Sequence, residues 1–141
     1  MKIEIKSLAA QKRFVYEESI KESIQVLKDN LKAEVIETPL TIDISQLSDA
    51  HLRLKDKGYK APSAEIVTAY INQIKDTFDE YSTDDGIAGL LGLAHGRRIR
   101  EFKSGKREIP YDLWRKLLVY TGRATQEIVP VLGFFKDEPS E

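Results

Sequence analysis

A cluster of basic residues between positions 94 and 107 has the clearest chemical potential in this 141-residue sequence. It places six cations against a single acidic residue, Glu101: Arg97, Arg98, Arg100, Lys103, Lys106 and Arg107. Residues 83–125 hold nine Lys and Arg against five Asp and Glu, whereas the whole chain has a net charge of -1. Most charge runs are only a solvated helix face, but a local excess this dense also suits a polyanion such as nucleic acid.

Other kinds of chemistry find little support in the sequence. There is no cysteine and there are only two histidines, His51 and His95, so we expect no disulfide, no metal and no cofactor. Asp84 and Asp85 resemble a carboxylate pair for acid–base work, but no nucleophile accompanies them and helix capping explains them. We therefore expect that the protein is not an enzyme. No apolar run approaches the length of about 18 residues that a membrane span needs, which predicts a cytoplasmic protein with no membrane partner.

Two short helices are predicted around the basic cluster. The first follows capping groups at residues 82–85 and stops at Gly92, and its apolar positions are Ile87, Ala88, Leu90 and Leu91. A turn over residues 92–96 leads to the second helix, residues 97–103, which buries Ile99 and Phe102. This arrangement is typical of a helix-turn-helix, in which the second helix enters the major groove of DNA.

A helical wheel assigns roles to the residues of the second helix. The side chains that point away from Ile99 and Phe102 are Arg97, Arg100, Glu101 and Ser104. An arginine guanidinium can donate two hydrogen bonds to the edge of guanine, and a carboxylate can accept one from the cytosine amine. This face is therefore predicted to read bases. Phosphate contacts are predicted for Arg98 and Lys103 on the flanks and for Lys106 and Arg107 in the following loop. His95 either contacts DNA at the helix start or is merely polar and exposed.

The flanking sequence predicts the rest of a helical domain over residues 61–135. A long helix is expected from Ser63 to about Tyr81, and another over residues 111–120 with Trp114 in the core. Thr125 is expected to cap a last short helix. Residues 136–141 form an acidic tail that we predict to be disordered.

The first 60 residues have weaker signals. Alternation over residues 1–7 predicts a strand, and apolar spacing predicts a helix over residues 17–32. Residues 33–45 are rich in β-branched types and contain Pro39, which indicates an edge strand or an extended arm. The fold is thus predicted to be mainly α, with a five-helix domain preceded by a smaller α/β segment for dimerisation or partner binding.

Residues 87–93, 99–107, the Ile109-Pro110 pair and the helix 113–122 together resemble the Cro/C1-type (XRE-like) helix-turn-helix regulators. The resemblance covers about residues 63–133. It implies a Cro/C1-like fold in which the second helix of the motif reads the operator and Phe102 is a core residue. It also implies a homodimer on a palindromic site, and some members of the family are antitoxins. The turn at residues 94–97 is one residue longer than is usual in the family.

Two functions follow as hypotheses. The first is a sequence-specific transcriptional regulator, expected to be a repressor, which binds double-stranded DNA through the helix 97–103. The alternative is an antitoxin or other interaction module whose N-terminal part binds a partner protein such as a toxin. The two are compatible, because antitoxins often repress their own operon.

Overall fold

A computed structural model describes residues 7–137 and 139, and within them the chain is mainly α-helical, as predicted. Its α-helices are α1 (Leu8–Asn30), α2 (Ala64–Thr77), α3 (Asp84–Leu90), α4 (Arg97–Ser104) and α5 (Tyr111–Tyr120). Short 3₁₀ turns lie at Ala50–Leu52 and Asp79–Tyr81. No strand occurs in these described residues. The strand predicted over residues 1–7 lies outside them except for Ser7, which is the N-cap of α1.

The chain divides into two compact units, Met1–Glu37 and Thr38–Glu141. The first contains α1, which begins well before the predicted position 17 because the Ser7 hydroxyl caps it by accepting from the Ala10 N–H at 3.1 Å. No side chain of α1 is buried. Its apolar positions Ile20, Ile24 and Leu27 are each 37 to 46% exposed.

Residues 33–45, for which an edge strand or an extended arm was predicted, form neither helix nor strand. The segment is an arm that is tied to α2 at Thr38. The Thr38 carbonyl accepts from Gln73 Nε2 at 2.7 Å, and the hydroxyls of Thr38 and Thr77 are 2.9 Å apart. Leu40 and Ile42 then pack against the core of the second unit.

Trp114 lies at the centre of that core and is fully buried, which confirms its predicted packing role. Its ring stacks on Tyr70 with centroids 5.3 Å apart, and its indole N–H donates to the His51 carbonyl at 3.1 Å. The buried His51 ring meets both aromatic rings edge-on. The 3₁₀ turn at Ala50–Leu52 is thereby fixed to α2 and α5.

Two predicted helix features are wrong. α2 ends at Thr77 rather than near Tyr81, and the chain continues as the 3₁₀ turn Asp79–Tyr81. The short helix expected after Thr125 does not form, so residues 61–135 contain four α-helices rather than five. Pro130 would interrupt that helix, and a short helix needs a buried apolar face, whereas Leu132 is 94% exposed. The tail predicted to be disordered, 136–141, lies in large part outside the described residues.

We predict that acidification destabilises the second unit through His51. Burial, together with the positive charge of Arg123, lowers the pKa of this imidazole below its ordinary 6.5, against a smaller opposing effect of Asp49. The pKa of His51 is lower in the folded state than in the unfolded state, so its contribution to stability is fully present above pH 6.5. That contribution is lost as the pH falls below 6.5 and through the folded-state pKa. The loss is at most about 1.4 kcal/mol per pH unit.

Urea unfolding between pH 5 and 8, roughly the range in which histidine titrates, measures this effect. The variant His51→Phe keeps an aromatic ring in the core but should lack this part of the pH dependence. His95→Gln is the matched control, because His95 is exposed and should leave the dependence on pH in place. An identical pH profile for His51→Phe and the wild type would contradict the assignment.

Candidate nucleic-acid interface

The pair α3 and α4, joined by a turn, forms where the sequence predicts it. The Thr83 hydroxyl caps α3 by accepting from the Gly86 N–H at 3.0 Å. α3 gives way to the turn at Gly92, whose φ of 79° favours glycine. α4 ends in the same way at Gly105, also with a φ of 79°. Both short helices thus have sequence-encoded ends, and α4 packs against both α2 and α3.

Close packing at Gly96 fixes the turn against the first residues of α3. The Asp85 carboxylate accepts from the Gly96 N–H at 2.8 Å. A Cβ atom at Gly96 would lie 2.6 Å from that carboxylate and 2.8 Å from the Asp85 backbone nitrogen. The φ of −67° at Gly96 is ordinary, so the requirement for glycine is one of space. Glycine at position 96 thus permits the turn that the sequence predicts over residues 92–96.

Asp84 holds the two helices of the pair to α2. Its Oδ1 atom accepts from Lys75 of α2 at 3.0 Å and from Lys103 of α4 at 3.2 Å. All three side chains are largely covered, with 15 to 21% of each exposed. Burial raises the pKa of the Asp84 carboxyl, but the two ammonium groups outweigh it and the net pKa is lowered.

This contact changes the interpretation of Lys103. The sequence predicts a phosphate contact for it, whereas the structure places its ammonium group in an ion pair inside the helical unit. The first-turn acids of α3 were explained by capping alone, yet Asp84 and Asp85 each join α3 to another part of the structure. The wheel misses these three contacts because they join residues 9, 11 and 19 positions apart.

The predicted outward face of α4 is exposed, while Ile99 and Phe102 are fully buried on the opposite side. Exposed candidates are His95, Arg97, Arg98, Arg100, Ser104, Lys106 and Arg107. In the part of the chain that the structure describes, neither Arg98 nor Arg100 is paired with a carboxylate. Five cationic side chains are thus exposed on α4 and in the loop after it. We call the surface that they form the basic face: Arg97, Arg98, Arg100, Lys106 and Arg107.

Glu101 is the exception on the outward face. Its two carboxylate oxygens are paired with Nε of Arg97 at 3.3 Å and Nε of Arg107 at 3.0 Å. Only 13% of the Glu101 side chain is exposed, against 76% for Arg97 and 53% for Arg107. The carboxylate therefore lies beneath the two arginines and is not presented to solvent as the wheel predicts.

Tyr111 is also accounted for by packing. Its hydroxyl accepts from the Lys55 N–H at 3.2 Å, and its ring meets Tyr59 edge-on at 4.7 Å. It is half-buried and belongs to the connection between α5 and the segment that precedes α2.

Comparison of the chain with family models, curated proteins and solved structures finds no match. Within residues 7–137 and 139, no helix has both the length and the apolar character that crossing a bilayer requires.

We predict that Gly96→Ala destabilises the protein by about 1–3 kcal/mol, because the new methyl group would overlap the start of α3. Gly89→Ala is the matched control: a Cβ atom there meets nothing within 4 Å, and alanine is the better helix former. It should stabilise the protein by up to about 1 kcal/mol. Urea unfolding midpoints compare the two, and equal effects would show that α3 and the turn are not packed as described.

For Asp84→Asn we expect the free energy of unfolding at pH 7 to fall by about 1–3 kcal/mol, because two lysines lose a charged acceptor. The pKa of Asp84 is lower in the folded state, so its stabilising effect is present above the ordinary value of 3.8. The difference between variant and wild type should shrink as the pH falls below 3.8 and through the lower folded-state pKa.

Asp112→Asn serves as the control, since Asp112 is an exposed acid in the first turn of α5. It should cost less than about 1 kcal/mol. A loss for Asp84→Asn no larger than that of the control would contradict the bridging role.

Proposed function

We propose that this protein is a sequence-specific DNA-binding transcriptional regulator that inserts α4 into the major groove. The observation that carries the proposal is the two-sided character of this helix. On its inner side Ile99 and Phe102 are buried in the core, and on its outer side the cations of the basic face are exposed. The resemblance of residues 87–110 to Cro/C1-type regulators supports the same function and favours repression.

The positions of the cations suggest which of them contact bases and which contact phosphates. Arg97 and Arg100 lie on the outward side of α4, where a guanidinium fork can pair with O6 and N7 of guanine. Arg98 on the flank, and Lys106 and Arg107 beyond the helix end, are better placed for phosphates. Phosphate contacts raise affinity for any sequence, whereas the base contacts supply discrimination between sequences.

Fixing α4 matters for such a function because base recognition depends on side-chain placement. The Asp84 ion pairs and the Gly96 contact attach α4 to the rest of the second unit at both ends. The Thr68 hydroxyl of α2 adds a third attachment by donating to the Lys103 carbonyl at 3.0 Å. A helix held in this way can approach DNA without first becoming ordered.

We further propose that the protein acts as a homodimer assembled through α1. Ile20, Ile24 and Leu27 are spaced by four and three residues along a 23-residue helix, which is the period of a coiled-coil seam. All three are exposed. A twofold dimer would match a palindromic operator whose half-sites are about 34 Å apart.

A second candidate function is that of an antitoxin or another protein-interaction module. Partner binding was predicted for the N-terminal part, whereas the observation that favours this function lies near the C-terminus, where Ile128, Val129 and Phe135 are 70 to 81% exposed. Exposed apolar residues, where they form a contiguous surface, commonly mark protein interfaces. This function would add a partner to the DNA-binding protein and does not replace its basic face.

Selection from a pool of random duplexes, followed by affinity measurements across a salt series, tests the proposal. We expect the wild type to select a defined sequence and to lose affinity as salt rises, with a log–log slope near 0.9 per neutralised phosphate. The double variant Arg97→Ala/Arg100→Ala should lose about 2–6 kcal/mol of discrimination, corresponding to two bidentate base contacts.

The matched control is Lys57→Ala/Lys60→Ala, which removes the same charge from exposed positions of the same unit outside α4 and the loop after it. It should retain the selected sequence preference. Failure of the wild type to enrich any sequence, or equal losses in the two double variants, would overturn the proposed function.

A further inference from the structure

The carboxylate of Glu101 lies between two arginines that belong to different parts of the basic face. Arg97 opens α4, whereas Arg107 follows the helix end. Each arginine forms an ion pair through its Nε with a different oxygen of the same carboxylate, at 3.3 Å and 3.0 Å. Glu101 is thus the residue that connects the start of α4 with the loop after it.

The atoms used in these ion pairs leave the recognition edges of the arginines available. Both contacts are made through Nε, and the terminal Nη groups of Arg97 and Arg107 have no acceptor among the residues that the structure describes. Those Nη groups form the fork that pairs with the edge of guanine or with phosphate oxygens. The two forks are therefore held on either side of one covered carboxylate.

Glu101 itself is poorly placed to read a base. Both of its oxygens are occupied and 13% of its side chain is exposed, so a cytosine amine would have to displace an arginine to reach it. An isolated acid on a DNA-binding surface would also repel phosphates. Two flanking cations remove that penalty, because the trio Arg97, Glu101 and Arg107 keeps a net positive charge.

We infer that Glu101 is a positioning residue that orients Arg97 toward a guanine edge and Arg107 toward a neighbouring phosphate. This inference rests on the proposed function and deepens it. Arginine is a long and flexible side chain, and one that is already held loses less rotamer freedom when it binds. Glu101 would thereby contribute to sequence selectivity without touching DNA.

The first test concerns the free protein and needs no DNA. In the wild type, NMR relaxation of the Nε–H groups of Arg97 and Arg107 should show restricted side-chain motion, because both arginines are paired with the Glu101 carboxylate. In Glu101→Gln, which keeps the shape but removes the charge, both side chains should become more mobile. Unchanged mobility in the variant would show that the arrangement is not held by this carboxylate and would overturn the inference.

The second test measures selectivity with the duplex chosen by the wild type and with single-base-pair replacements of it. Glu101→Gln should lose at least about fivefold discrimination at the guanine read by Arg97, the lower end for one bidentate contact. Affinity for random duplex should stay equal or rise, because a negative charge has been removed. In an Arg97→Ala background the same substitution should cause no further loss, since positioning acts through Arg97.

Glu108→Gln is the matched control, because it removes an equal charge from an exposed neighbour of Arg107. It should leave selectivity unchanged. A loss confined to a cytosine position and additive with Arg97→Ala would identify Glu101 as a base reader and overturn the positioning role. Full selectivity in Glu101→Gln would overturn it too. Absence of selectivity in the wild type would instead show that the proposed function, on which the role depends, is wrong.

Discussion

The arrangement of the basic face depends on the carboxylate of Asp84. One oxygen atom accepts from a lysine of α2 and a lysine of α4, so three helices meet at a single group. Ion pairs on open surfaces contribute little to stability, but the two ion pairs of Asp84 are largely covered. Loss of the carboxylate would leave two lysine ammonium groups without this acceptor. The apolar core brings the helices together, and Asp84 fixes the position of α4 among them.

The charged residues of α4 therefore have two separate roles, one in holding the fold and one in facing a ligand. Lys103 and Glu101 are turned inward or covered and serve to hold other residues in place. Arg98 and Arg100 stay exposed, with no carboxylate partner among the described residues. A strongly basic stretch in a sequence therefore overstates the number of side chains that can meet a ligand, because part of the charge is used within the fold.

The sequence predicts those parts of the fold that depend on local signals. The bounds of α3 and α4 follow from capping groups, glycines and the spacing of Ile87, Ile99 and Phe102, which lie close together in the chain. Trp114 was predicted as a core residue for the same reason. The outward, exposed positions of Arg97 and Arg100 on α4 were predicted as well.

What the sequence does not predict depends on contacts between distant positions. The arm at Thr38 is fixed by residues 35 to 39 positions away, and no local pattern indicates whether such a segment pairs as a strand. The helix expected after Thr125 has the right apolar spacing, but no surface covers it. The Arg107 partner of Glu101 comes from a loop, to which a helical wheel cannot assign a direction.

A heteronuclear NMR titration of the whole chain with a selected duplex tests the central claim most directly, because it locates the contact residue by residue. We expect saturable shifts concentrated in α4 and residues 105–107, with the same residues responding weakly to random duplex. Shifts centred on α1 or on residues 128–135, or no saturable change with any duplex, would contradict a DNA-reading role for α4.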